Sequence, residues 1–118
     1  MEKENIIKEK AYNFAVRIIN LYKFLTTEKK EFIISKQILR SGTSIGANVE
    51  EAVGGISRRD FISKLSIAYK ESRETHYWLR LIHDGQFINE KMFISFEMDC
   101  LELCKILFSI IRSTRKSN

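Results

Sequence analysis

Cys100 and Cys104 stand four residues apart, the spacing of two ligands on one helix face, and His76 and His83 lie on the segment before them. A Cys2His2 metal site is therefore the first chemistry to weigh. If the two segments turn near residue 87, His76 comes level with about residue 98 and His83 with about residue 91. One cysteine–histidine level can coincide, but both cannot. No C-x-x-C or H-E-x-x-H occurs, and Glu74-Thr75-His76 is not the Glu-x-x-His of di-iron bundles. The expectation is two buried free thiols in a reducing cytosol, with no metal and no cofactor. Ser41-Gly42-Thr43-Ser44 lies inside a helical pattern, so it cannot form a phosphate-cradling loop, and no G-x-x-x-x-G-K-[ST] is present. Neither histidine has a serine or carboxylate partner fixed by a known spacing. Paired acids such as Glu50-Glu51 and Glu71/Glu74 are ordinary on helix surfaces. The expectation is a protein that is not an enzyme.

Two sets of polar residues say more. Arg40, Ser44, Asn48 and Glu51 fall within about 80° of each other on a helical wheel, bordering the apolar face rather than opposing it. Glu71, Glu74 and Trp78 do the same on the next segment. A turn near residue 56 brings Arg40 level with about residue 72, within reach of Glu71 or Glu74. These six, Arg40, Ser44, Asn48, Glu51, Glu71 and Glu74, are expected to form a partly buried network that fixes helix register or a subunit contact. The second set is basic. Arg58 and Arg59 fall in the first turn of a helix, where the dipole disfavours cations, so an anionic partner gives them a purpose. Arg112, Arg115 and Lys116 fall toward a helix C-terminus, where the dipole already favours them. All five are expected at one pole and are candidate nucleic-acid contacts.

The elements that must position these residues are four helices, about 4–26, 31–53, 58–83 and 89–114, within one domain spanning 1–118. Ile7, Ala11, Phe14, Ile18, Leu21 and Leu25 alternate in steps of four and three, which is one helix face. Ile34, Ile38, Ser41, Ile45, Val49 and Ala52 repeat the pattern. Gly42 and Gly46 inside that helix cost about 1 kcal/mol each relative to Ala, which predicts close approach of a neighbour. Gly54-Gly55 is expected to give a left-handed cap. Ser57 and Asn89 are expected N-caps. Phe61, Leu65, Ala68, Ser72, Thr75, Leu79 and Ile82 make the third seam. Phe93, Phe96, Cys100, Leu103, Leu107 and Ile110 make the fourth. The absence of proline removes the usual helix breaker. The fold class expected is all-α, an antiparallel up-down-up-down bundle. Second stripes, Tyr12, Ala15, Ile19 and Tyr22 and then Leu101, Cys104, Phe108 and Ile111, exceed what one small core needs, so the chain is expected to pack against copies of itself.

Twenty Lys+Arg against fifteen Asp+Glu give a net charge of +5, a mild lean toward acidic partners. The apolar runs are too short to span a membrane. The charged start MEKENIIKEKAYNF lacks the apolar core of a signal peptide, which predicts a cytoplasmic protein with no membrane partner.

The stretch RSGTSIGANVEEAVGGISRRDFISKLSIAYKESRETHYWLRLI resembles the 23S rRNA intervening-sequence proteins, a family of small bacterial four-helix bundles. It is more distantly similar to the accessory protein of diversity-generating retroelements. The resembling positions are Arg40, Ser44, Ile45, Asn48 and Glu51, then Phe61, Leu65, Ile67, Ala68, Glu71, Glu74 and Leu79. The family often carries Glu-Gly where this chain has Glu51-Ala52. The resemblance implies a ring-like homopentamer without enzymatic activity that binds nucleic acid. The functional expectation is a homo-oligomeric bundle that contacts structured RNA or DNA through phosphates. The alternative is a protein–protein scaffold with no nucleic-acid binding of its own.

Overall fold

The computed structural model describes residues 2–117. The described residues form four helices: α1 (Glu2–Thr27), α2 (Ile34–Val53), α3 (Arg58–Asp84) and α4 (Glu90–Lys116). No strand occurs among the described residues. The helices form an all-α bundle with principal extents of 48 × 21 × 19 Å. α1 packs on α2 and α4, α2 on α3, and α3 on α4, so each helix has two neighbours. The predicted seams are the core: all six α1 residues from Ile7 to Leu25 are buried, as are Ile38, Ile45, Val49, Leu65, Leu79, Leu103 and Leu107.

Cross-helix pairs fix the register. Lys10 pairs with Glu102 and Arg17 with Asp99 across α1 and α4. Across α2 and α3, Thr75 Oγ1 donates to Ser41 Oγ at 2.8 Å in the buried middle of the bundle. Gly42 and Gly46 serve the contact with α1. A Cβ at Gly42 would stand 2.8 Å from Ile18 Cγ1, and one at Gly46 would stand 3.4 Å from the Ala11 carbonyl oxygen.

The helix ends depart from expectation in two places. α2 starts at Ile34 rather than at 31, because the Glu31 carboxylate takes the first free backbone N–H groups: Oε2 accepts from Ile33 and Ile34, and Oε1 from Ser35 at 2.7 Å. Glu31 is thus a buried cap, supported by the Ser35 hydroxyl donating to its carbonyl at 2.8 Å. Nor is the end of α2 left-handed. Gly54 sits at φ −84°, ψ 4°, its N–H keeps the α-helical bond to the Glu50 carbonyl, and the Gly55 N–H donates to the Ala52 carbonyl three residues back, so the chain leaves in a tightened right-handed turn. A Cβ at Gly55 would lie 3.0 Å from the Ala52 carbonyl oxygen, a tight fit, while the nearer Asp60 Oδ2, at 2.6 Å, ends a side chain that can turn away. Left-handed conformation occurs instead at Lys30 (φ 53°) and Gln86 (φ 68°). At Gln86 the paired bonds Gln86 N–H to His83 and Phe87 N–H to Ile82 close a Schellman turn after α3. Ser57 and Asn89 cap α3 and α4 by accepting from the Asp60 and Met92 N–H groups.

Candidate functional site

The cysteines and histidines do not converge. Cys100 Sγ donates to the Ser72 carbonyl at 3.2 Å, and Cys104 Sγ lies 3.1 Å from Ser72 Oγ. Cys104 is half-buried, and its contact with the Cys100 thiol draws its own thiol down, which outweighs the opposing effect of burial. Cys100 is pushed up by the same contact and by its own burial. His76 Nε2 is 2.8 Å from Glu97 Oε2. His83 lies between Asp84 and Glu90 and stacks on Phe93 with ring centroids 4.3 Å apart. Among the described residues no group of three or more His, Cys, Asp or Glu side chains is placed to hold a metal. Both histidines do have carboxylate partners, which sequence spacing missed because Glu97 and Glu90 reach them from another helix.

The six-residue polar stripe divides into three separate contacts. Arg40 joins α2 to α3: Nη1 donates to Glu71 Oε2 at 2.8 Å and Nη2 donates to Glu74, which also accepts from Trp78 Nε1 at 2.9 Å. The Trp78 hydrogen bond holds the Glu74 carboxyl below its usual range against partial burial, and Arg40 adds to that effect. The Arg40 side chain is 51% exposed, Glu71 14% and Glu74 35%. Asn48 turns back along α2 instead, donating to the Ser44 carbonyl at 2.9 Å and to Ser44 Oγ. Glu51 pairs with Lys64 at 2.9 Å. Of the six residues, Arg40, Glu71 and Glu74 join across α2 and α3, while the Asn48 amide is within reach of its own helix and takes the local acceptor.

Three of the five predicted cations do come together. Arg112, Arg115 and Lys116 line a groove of about 450 Å³ between α3 and α4, joined from α3 by Lys70. Its remaining walls are Tyr69, Phe108, Ile111 and Ser66, so the floor is aromatic and aliphatic while the rim is cationic. Positions 66, 69 and 70 on α3 face 108, 111, 112 and 115 on α4, helical spacings that bring each set to one side of its helix. Arg58 and Arg59 are exposed in the first turn of α3 and do not line the groove. Lys70, Tyr69 and Phe108 were not singled out as binding residues from sequence. The available signal was that a second apolar stripe on α4 ran into a basic helix end.

No helix among the described residues is long and apolar enough to cross a membrane. No curated protein matches the chain. Among solved structures, it is similar to a protein with unknown function from the S23 ribosomal protein family of Bacteroides thetaiotaomicron. The two share 55% identity and superpose with a TM-score of 0.92, covering 93% of this chain and 98% of that one. The profile of the 23S rRNA-intervening sequence proteins matches residues 3–109. With nearly its whole length matched, the chain belongs to the 23S rRNA-intervening sequence protein family.

Proposed function

We propose that this protein is a non-enzymatic, cytoplasmic homo-oligomer that binds structured RNA or DNA through phosphate contacts. The observation that carries the reading is the groove rim, where Lys70, Arg112, Arg115 and Lys116 meet with no carboxylate among the lining residues. Four cations in one place repel one another, and a polyanion relieves that repulsion. An antiparallel up-down-up-down arrangement is supported by the order of the cross-helix pairs, such as Lys10–Glu102 followed by Arg17–Asp99. It brings Arg58 and Arg59 toward the pole where α4 ends. Self-assembly is supported by exposed apolar stripes: Tyr12, Val16 and Ile19 on α1, and Ile94, Met98 and Leu101 on α4. Family resemblance makes the copy number five. Five copies at +5 each carry about +25, and weak phosphate contacts then add through multivalency. A non-enzymatic role is supported by the engagement of both histidines with α4 carboxylates.

The test is a salt titration of binding to a mixed RNA and DNA pool by the intact oligomer. Affinity should fall steeply with salt and show little sequence preference, because phosphates rather than base edges are read. Replacing Arg112 and Arg115 with Ala should reduce the log–log salt slope by about 1.4 to 1.8, whereas Arg58→Ala/Arg59→Ala measures what the neighbouring helix start contributes. No binding at low salt hands the case to a protein-binding scaffold.

A further inference from the structure

The rim accounts for phosphate, but the floor of the groove does not. Phe108 is 52% exposed, and Tyr69 packs against it with centroids 5.8 Å apart and planes tilted by 46°. Arg73 extends the same wall, its guanidinium 6.0 Å from the Tyr69 ring. An array that only neutralised phosphates would work as well on a polar floor. An aromatic face framed by Arg and Lys is instead the arrangement that holds an unstacked base and its flanking phosphates together.

We propose that the α3–α4 groove binds an unpaired nucleotide of RNA or DNA, its base stacked on Phe108 and its flanking phosphates held by Lys70, Arg112 and Arg115. The proposal rests on the nucleic-acid reading above and sharpens it: a structured RNA is recognised at its loops, bulges or ends rather than along its duplex. The groove volume of about 450 Å³ is of the size that small-ligand sites have. Tyr69 and Phe108 already touch, so no base fits between them. The exposed side of Phe108 is the stacking platform, and Tyr69 supports it from behind.

Charge argues against a second copy as the occupant. Along α4 the exposed apolar stripe Ile94, Met98 and Leu101 is interleaved with Glu97, Asp99 and Glu102, and beyond Glu102 the chain has no acidic residue at all. The stripe therefore changes from acidic to basic company before it reaches Phe108. A copy seated over the groove would have to bury Lys70, Arg112 and Arg115 or supply carboxylates to each, and burying unpaired charge is costly. A nucleic-acid strand brings one phosphate per base.

The experiment compares a 20-nucleotide poly(rA) strand with a 20-base-pair RNA duplex, titrated against the intact oligomer at fixed salt. Phe108→Ala should weaken strand binding by roughly 5- to 150-fold, the range of one base–aromatic stack, with less than about twofold effect on the duplex. Phe108→Trp should restore strand binding and Phe108→Leu should not, which separates stacking from simple apolar packing. Light scattering on each variant checks that assembly is unchanged. Equal loss for strand and duplex, or rescue by Leu, overturns the stacking proposal while leaving phosphate binding intact. Dissociation of the oligomer by Phe108→Ala overturns it in favour of a copy–copy contact. Absence of binding to both probes by the wild-type protein defeats the nucleic-acid reading itself.

Discussion

Gly42 and Gly46 lie one turn apart on the same face of α2, yet alanine should act on them in opposite directions. In a helix interior the exchange gains about 1 kcal/mol at either position, since glycine is the poorer helix former. What differs is the space on α1. At Gly42 the new Cβ would sit 2.8 Å from Ile18 Cγ1 and 2.9 Å from Ile18 Cγ2. Ile18 is fully buried, and its β-branch holds one rotamer on a helix, so the obstructing atoms cannot swing aside. Forcing a methyl into such a site costs roughly 1–3 kcal/mol, which exceeds the propensity gain or at best cancels it. At Gly46 the nearest atom is the Ala11 carbonyl oxygen at 3.4 Å, an ordinary contact, so most of the gain survives. The expected difference between Gly42→Ala and Gly46→Ala is about 1–3 kcal/mol in favour of the latter. Urea denaturation at one fixed protein concentration measures it, a condition that keeps the comparison valid for a self-associating protein as well as for a monomer. A cycle with Ile18→Ala adds a second check. Alone that change should cost about 2–5 kcal/mol through its cavity, and less in the Gly42→Ala background, where the methyl enters the space. If Gly42→Ala is as stable as Gly46→Ala, or the cycle is additive, the close α1–α2 approach at Ile18 is refuted.

Arg40→Ala should cost only about 1 kcal/mol in urea melts, because the guanidinium is half-exposed and water screens its pairs with Glu71 and Glu74. A loss of several kcal/mol would mean that assembly buries the site. Glu31→Ala should cost about 2 kcal/mol, the upper end for a helix cap, because three backbone N–H groups lose a buried acceptor; Glu31→Gln should recover part of it. His83 is lowered by partial desolvation, but hydrogen bonds and charge from Asp84 and Glu90 outweigh that and leave it raised above 6.5. Its folded state thus holds the proton more tightly, so its contribution is complete below pH 6.5 and is lost as pH rises through the higher folded value. Thermal melts at pH 6 and pH 8 should show that loss, and His83→Gln should flatten it.

The seams of all four helices were legible because a bundle core obeys one rule at every turn: each apolar residue at a four/three step meets the same interior. Phe61 and Phe93 are only half-buried because they lie at helix starts, where the neighbouring helix is ending. The start of α2 was not legible. Glu31 carries no capping signature in its own spacing, and three residues ahead of a helix it reads as one more charged position. Its role appears only when the Lys30 backbone turns left-handed and delivers the carboxylate to the N–H groups. Gly54 misled for a related reason. A glycine after a helix signals freedom to adopt positive φ, but here neither glycine adopts it, and the left-handed residue that closes a helix is Gln86 after α3.

The candidate site shows where single-helix reasoning ends. The basic end of α4 was visible, but the helix dipole alone explains Arg112, Arg115 and Lys116, so their charge carried little weight until a partner surface stood beside them. That surface comes from α3, and it depends on the register fixed near the bundle middle by Ser72, which accepts from Cys100 through its carbonyl and touches Cys104 with its hydroxyl. Tyr69 and Lys70 lie just before Ser72, and Phe108 follows Cys104 by one turn. Ser72 and the two cysteines are thus the pins that set Tyr69 against Phe108. A shift of α4 by one turn would preserve its seam pattern but move Phe108 away from Tyr69 and separate Lys70 from the arginines. The groove is a property of that register, and neither helix carries it alone.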